Sequence, residues 1–282
     1  NNLNWIDLTG GEVTLREDLS DIIKLIIRGS KRLVIFHIST NGQLAQRAFL
    51  ATKAIISAGI TPVINISIDG PERVNDFLRG GSGAYWRSLE TFRSIKRIRN
   101  ARVYLSCTLS SLNIDYIDEL ITDLKKNIQD FDFSNLHFNI FHQSAHYYNN
   151  QNKDISLELT LHSLKKYLGL CALGNPVKVF LEKEYIKELG FFINNGRSSF
   201  PCQACLSTCF LNPYGEVFPY SIYNLKIGNL KENNFDINAL WNCGKTKAVR
   251  KCVEENKCPG CWSPCEAYPA IAGHFLRKAA SI

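Results

Sequence analysis

The chain has 282 residues, 45% of them apolar and 21% charged, with a net charge of +7. That length buries a full α/β core, and no apolar run approaches the ~20 residues a membrane-spanning helix needs. Lys and Arg are spread along the chain and form no basic stripe interleaved with aromatics. This argues against a nucleic-acid partner and fits an anionic substrate, a peptide or a plain basic surface.

The first half alternates strand and helix. Candidate strands are 4–8, 33–38, 62–68, 103–109 and 136–141. Residues 18–28 read as a helix, with Leu19, Ile22, Ile23, Ile26 and Ile27 on one face and acids in the first turn. Further helices are expected at 43–58, 84–99 and 115–128. Tyr85, Trp86 and Phe92 in the second of these read as core. Alternating βα units call for a parallel sheet with right-handed crossovers. Residues 143–153 are polar and aromatic and read as a loop, with helices expected at 156–168 and 183–194. Beyond 200, a hairpin over Cys209–Tyr220 turns at Asn212-Pro213-Tyr214-Gly215, and a helix is expected over 237–254.

Strand ends carry the first motifs. Gly10-Gly11-Glu12 follows Trp5-Ile6-Asp7-Leu8, Ser39-Thr40-Asn41-Gly42 follows Leu33-Val34-Ile35-Phe36, and Ser67-Ile68-Asp69-Gly70-Pro71 follows Val63-Ile64-Asn65-Ile66. Strand C-termini are where parallel α/β folds build their chemistry. Taken singly, each motif also reads as a βα turn, and Asp69 as a turn-former before Gly70-Pro71. Ser67 and Asp69 fall on one strand face by period two, and Arg79 is a natural fork for a carboxylate.

Eight of the ten cysteines lie between Cys202 and Cys265. A disulfide framework suits a small secreted domain rather than the tail of a large α/β chain, so metal binding is the better reading. Cys258-x2-Cys261-x3-Cys265 packs three thiols into eight residues, a density that suits zinc or an iron–sulfur cluster. Cys202, Cys205 and Cys209 precede Gly215. Cys243 and Cys252 sit on the expected helix and read as non-ligands, and Cys107 and Cys171 as core thiols. His137, His142 and His146 gather near the end of the fifth strand; His142, His146 and Asp69 are weak catalytic candidates.

In order and spacing these motifs resemble the radical S-adenosylmethionine (radical SAM) enzymes, with the tail resembling their SPASM or shorter twitch extension. The resemblance implies an α/β partial (βα)6 barrel over 1–198 and a cysteine-rich auxiliary domain containing a β-hairpin over 199–282. It implies that Gly10, Gly11, Glu12, Asn41, Ser67, Asp69 and Arg79 bind S-adenosylmethionine, the glycine edge taking the cofactor's amino group. Val13 stands where the family usually has Pro, and Thr14-Leu15-Arg16 continues its pattern. The family's Cys-x3-Cys-x2-Cys loop, which holds the radical [4Fe-4S] cluster, is expected before Asn1. Methionine is absent from the chain, and the expectation is that the gene product contains some.

For the tail, the resemblance implies one or two auxiliary [4Fe-4S] clusters held from among Cys202, Cys205, Cys209, Cys258, Cys261 and Cys265. Cys202-x12-Gly215-x4 and Cys205-x9-Gly215-x4 both end on Tyr220, where the family usually has Cys. Ile227-Gly228-Asn229-Leu230 and Leu240-Trp241 match the run that follows. The implied activity is reductive cleavage of S-adenosylmethionine to a 5′-deoxyadenosyl radical, which abstracts a substrate hydrogen. The substrate is a peptide or a small metabolite such as a sugar or aminocyclitol. An electron donor such as flavodoxin or ferredoxin and a cytoplasmic setting are also expected. A zinc-ribbon-bearing binding protein is the competing class.

Overall fold

The computed structural model describes residues 2–150 and 176–280. The helix expected at 156–168, the end of the 143–153 loop and Cys171 lie outside the described residues. The chain divides into two compact units, 1–139 and 140–282.

The first unit holds β1 (Trp5–Leu8), α1 (Leu19–Gly29), β2 (Ile35–Thr40), α2 (Ala45–Ser57), β3 (Thr61–Ser67), α3 (Glu72–Arg79), α4 (Ala84–Lys96), β4 (Arg102–Leu109) and α5 (Ile117–Asn127). β5 (Leu136–Ile140) completes a five-stranded sheet of order β1-β2-β3-β4-β5. β1 to β4 pair in parallel, as the alternating pattern required. All five strands and four of the helices fall within a few residues of their expected places.

Register gives the sheet two unlike faces. Cross-strand neighbours Ile38, Ile64 and Val103 share one face and are buried. So are Ile66 and Leu105 one step on, where α2 and α4 meet β3. The opposite face carries Asp7 beside His37, and Ser39 beside Asn65 and Tyr104. Parallel sheets are ordinarily apolar on both faces, so the polar one is the working face.

α3 was not anticipated. It is polar, burying only Val74 and Asn75. Its punctuation was nonetheless present: Pro71 at the start, and Gly80 at the end in the left-handed conformation at φ 69°. Tyr85 and Phe92 are fully buried as expected, whereas Trp86 is 42% exposed and only edges against Tyr85.

The second unit holds α6 (Pro176–Asn195), the antiparallel strands β6 (Phe210–Leu211), β7 (Glu216–Phe218) and β8 (Gly228–Asn229), then α7 (Ile237–Trp241), α8 (Gly244–Glu254) and α9 (Pro264–Ala280). The hairpin turns where expected: Asn212 Oδ1 accepts from the Tyr214 and Glu216 amides, and Gly215 sits at φ 88°. The helix expected over 237–254 is two helices. Extended backbone at Cys243 (φ −69°, ψ 164°) breaks it and caps α8. α6 packs on α9, which groups residues before 198 with the cysteine segment. The hinge of this packing is Trp262. It is stacked between Tyr185 and Phe200, at 6.0 Å from each, and its Nε1 donates to the Tyr185 carbonyl at 2.7 Å.

Candidate functional site

The ends of β1 and β2 are tied by one carboxylate. Glu12 Oε1 accepts from the Thr14 amide (3.0 Å), the Thr14 hydroxyl (2.6 Å) and the Thr40 hydroxyl (2.7 Å). Glu12 Oε2 accepts from the Asn41 amide at 2.6 Å. A 3-10 turn over Val13–Leu15 begins at Glu12, so the same residue closes the turn and clamps the neighbouring strand. Beside it Gly10 and Gly11 form an open edge, since a Cβ built at either would meet nothing within 4 Å. Gly10 adopts φ 150°, which other residues rarely take. Asn41 Oδ1 accepts from the Gln43 amide, turning the chain into α2.

At the end of β3, Ser67 is half-buried and Asp69 is buried. Asp69 Oδ1 accepts from the Thr108 amide at 3.0 Å, and Asp69 Oδ2 pairs with Arg79 at 2.6 Å. Burial raises the Asp69 carboxyl above its ordinary range, against the pull of Arg79 and the Thr108 amide. Asn113 Nδ2 donates to the Asp69 and Thr108 carbonyls, locking β3 to β4. Arg79 and Asp69 thus face each other, and Arg79 retains 29% side-chain exposure.

In the second unit, Cys202, Cys258 and Cys261 pack against one buried cluster that includes Cys205 and Tyr220. Cys202, Cys258 and Cys261 interact electrostatically with one another. Burial pushes the Cys202 thiol up to about 12 and also raises Cys261 well above the usual thiol range. Cys205 and Cys209 neighbour one another, and the buried Glu266, whose Oε2 accepts from Thr208 at 3.0 Å, lies near both as well as near Cys202 and Cys261. Cys265 opens α9 near Tyr185 and Tyr268. Among the described residues, no three His, Cys, Asp or Glu side chains converge on a single-ion site. Tetrahedral zinc would bring its sulfurs to within ~4 Å of one another, so these thiols are not gathered as a finished zinc site.

The histidines are dispersed. His146 Nδ1 meets Asn224 Oδ1 at 2.7 Å, its Nε2 meets the Tyr220 carbonyl at 3.2 Å, and its ring stacks on Phe218 at 4.1 Å. His142 is buried beside Phe192, and burial lowers its pKa to about 4 despite a hydrogen bond with the Trp262 backbone. It is neutral at pH 7. His37, in β2, pairs with Asp7 at 2.6 Å. Cys107 is fully buried, as expected.

No family model matches the chain. A pre-heme d1 synthase of Dinoroseobacter shibae is 36% identical over 115 residues, covering 40% of this chain and 26% of the relative. The solved structure of native anSMEcpe with bound AdoMet shares the fold at TM-score 0.57 and 20% identity, over 92% of this chain and 72% of that one. The chain thus shares the fold of that AdoMet-bound structure and, over 115 residues, sequence with that synthase. It spans about a quarter of the curated relative it matches.

Within that fold the glycine edge, Glu12 and Ser67 stand at strand C-terminal ends. The residues fit an S-adenosylmethionine site: an open glycine backbone, a rigid carboxylate-tied turn and a half-exposed serine. Thr14, Thr40 and Asn113 were missed. The hydroxyls of Thr14 and Thr40 serve Glu12, and Thr40 was visible only as part of Thr40-Asn41-Gly42. Asn113 lies in a stretch without any periodic signal. No described helix is long and apolar enough to cross a membrane.

Proposed function

We propose that this chain forms the cofactor-binding and auxiliary-cluster parts of a radical SAM oxidoreductase. The observation that carries the reading is the Glu12 clamp, four hydrogen bonds that fix the ends of β1 and β2 beside an open Gly10–Gly11 edge. S-adenosylmethionine with a [4Fe-4S] cluster, when bound, would supply the radical chemistry for hydrogen abstraction. The chain's own residues bind and orient. Gly10 and Gly11 offer backbone groups to the cofactor's amino end, Ser67 offers a hydroxyl, and Asn41 shapes the turn beside it. Arg79, held by Asp69, places a cation near the tip of β3. The polar face, with His37 and Asn65, orients a polar substrate by hydrogen bonds.

Cys202, Cys258 and Cys261, with Cys205, Cys209 and Cys265 nearby, would hold an auxiliary [4Fe-4S] cluster, which would supply an electron-accepting or substrate-binding centre. The implied partners are a flavodoxin or ferredoxin donor and a peptide or small-molecule substrate, in a reducing, cytoplasmic setting. The partial match to a pre-heme d1 synthase favours the small-molecule alternative over a peptide.

The test is anaerobic reconstitution of the full-length protein, followed by iron and sulfide analysis and detection of 5′-deoxyadenosine after dithionite. About eight irons per chain with 5′-deoxyadenosine release supports one radical and one auxiliary cluster. About twelve means two auxiliaries. Zinc without iron, and no 5′-deoxyadenosine, overturns the reading in favour of a zinc-bearing binding protein.

A further inference from the structure

Tyr220 is out of place as a packing residue. It is 1% exposed, and its hydroxyl has no hydrogen-bond partner among the described residues. A buried, unsatisfied hydroxyl costs about 1–3 kcal/mol, which Phe at this position would avoid. The hydroxyl's electrostatic neighbours are the thiols of Cys261, Cys258 and Cys202 and, more weakly, Glu266. Those three cysteines pack on the buried cluster to which Tyr220 itself belongs. His146 meets the Tyr220 carbonyl at 3.2 Å, and Tyr223 lies against its ring at 5.8 Å. Three thiols and one oxygen donor therefore share a buried wall, and the oxygen has no other use among the described residues.

We propose that Tyr220 is a ligand of the auxiliary iron–sulfur cluster, its phenolic oxygen completing a set with the thiolates of Cys202, Cys258 and Cys261. This rests on the auxiliary-cluster reading above. Each of the four donors loses one proton to solvent as the metal binds, and four anionic ligands surround the cluster. Iron accepts a tyrosine oxygen elsewhere in biology, as the axial ligand of catalase haem. An oxygen ligand makes one iron unlike the other three.

The assay uses the full-length protein, reconstituted without oxygen, with metal content and electron paramagnetic resonance as readouts. The signal and iron lost in a Cys258→Ala/Cys261→Ala variant define the auxiliary cluster. Tyrosine labelled with ¹⁷O at the phenol is expected to broaden that signal. Tyr220→Phe is expected to lose one iron and, after one-electron oxidation by added ferricyanide, to show the signal of an oxidised three-iron cluster. Tyr220→Cys is expected to restore all four irons with shifted g-values, which also shows that the unit folds around a changed ligand. If the double cysteine variant loses neither iron nor signal, the auxiliary-cluster reading itself fails. If the auxiliary signal is defined but the label leaves it unbroadened, and Tyr220→Phe keeps its iron and g-values, tyrosine ligation alone is refuted.

Discussion

Substituting Glu12 with Gln probes the clamp with the least change of shape. Gln keeps an oxygen for the donors now on Oε1, from Thr14 and Thr40, but places an amide NH2 where Oε2 accepts from the Asn41 amide at 2.6 Å. A hydrogen bond to a charged group contributes about 1.5–3 kcal/mol, and replacing the acceptor with a donor leaves the Asn41 amide unpaired. The three remaining bonds become neutral and weaken. Because Glu12 is only part-buried, the net loss is about 2 kcal/mol, or a fall of roughly 4–8 °C in melting temperature for a protein of this size. The assay is thermal unfolding of the full-length protein, with calorimetric S-adenosylmethionine binding in parallel. Thr40→Val should lose part of the same energy, and the double variant less than the sum. A Glu12→Gln protein that melts within about 1 °C of wild type and binds the cofactor unchanged would refute the clamp.

Gly42→Ala should destabilise by about 2 kcal/mol or more, because φ is +73° and a Cβ would lie 2.7 Å from Ile66 Cγ2 and 3.0 Å from Ser88 Cα. Urea unfolding reads this, and an unchanged midpoint counts against it. Arg79→Ala leaves the buried Asp69 carboxylate without its cation and should cost about 2–3 kcal/mol, discounted for the partial exposure of Arg79. Asp69→Asn in the same background should recover part of it. His142 has a folded pKa of about 4 against 6.5 unfolded. Its contribution is present above pH 6.5 and lost as pH falls toward 4, an effect of up to ~3 kcal/mol. His142→Phe should flatten stability between those pH values, and an unchanged pH profile would contradict the burial argument.

The βα order was legible because apolar runs and helical periods are local. Leu19 to Ile27 or Ile117 to Leu124 need no tertiary information to declare a face. α3 was missed because its sequence is polar and its helix is fixed by Pro71, Gly80 and the Asp69 amide bonded to Asn75 Oδ1. The break at Cys243 was missed because apolar spacing continues through it. For the site, motif residues were found at strand ends, yet their mutual bonding was not. The pairing of Arg79 with Asp69, and of Glu12 with Thr40 across 28 positions, is a property of register between strands. The gathering of Cys202, Cys258 and Cys261 on the cluster that holds Cys205 and Tyr220 depends on how the hairpin returns. Spacing along the chain does not encode that.

The indole of Trp262 has a consequence for the order of assembly. It lies directly after Cys261 and is clasped by Tyr185 and Phe200, with a hydrogen bond to the Tyr185 carbonyl. The thiol loop is therefore anchored by aromatic packing that needs no metal, and its conformational entropy is lost when the polypeptide folds. For the auxiliary cluster proposed above, insertion would meet a waiting scaffold, so iron and sulfide would be delivered without also having to shape the chain that receives them.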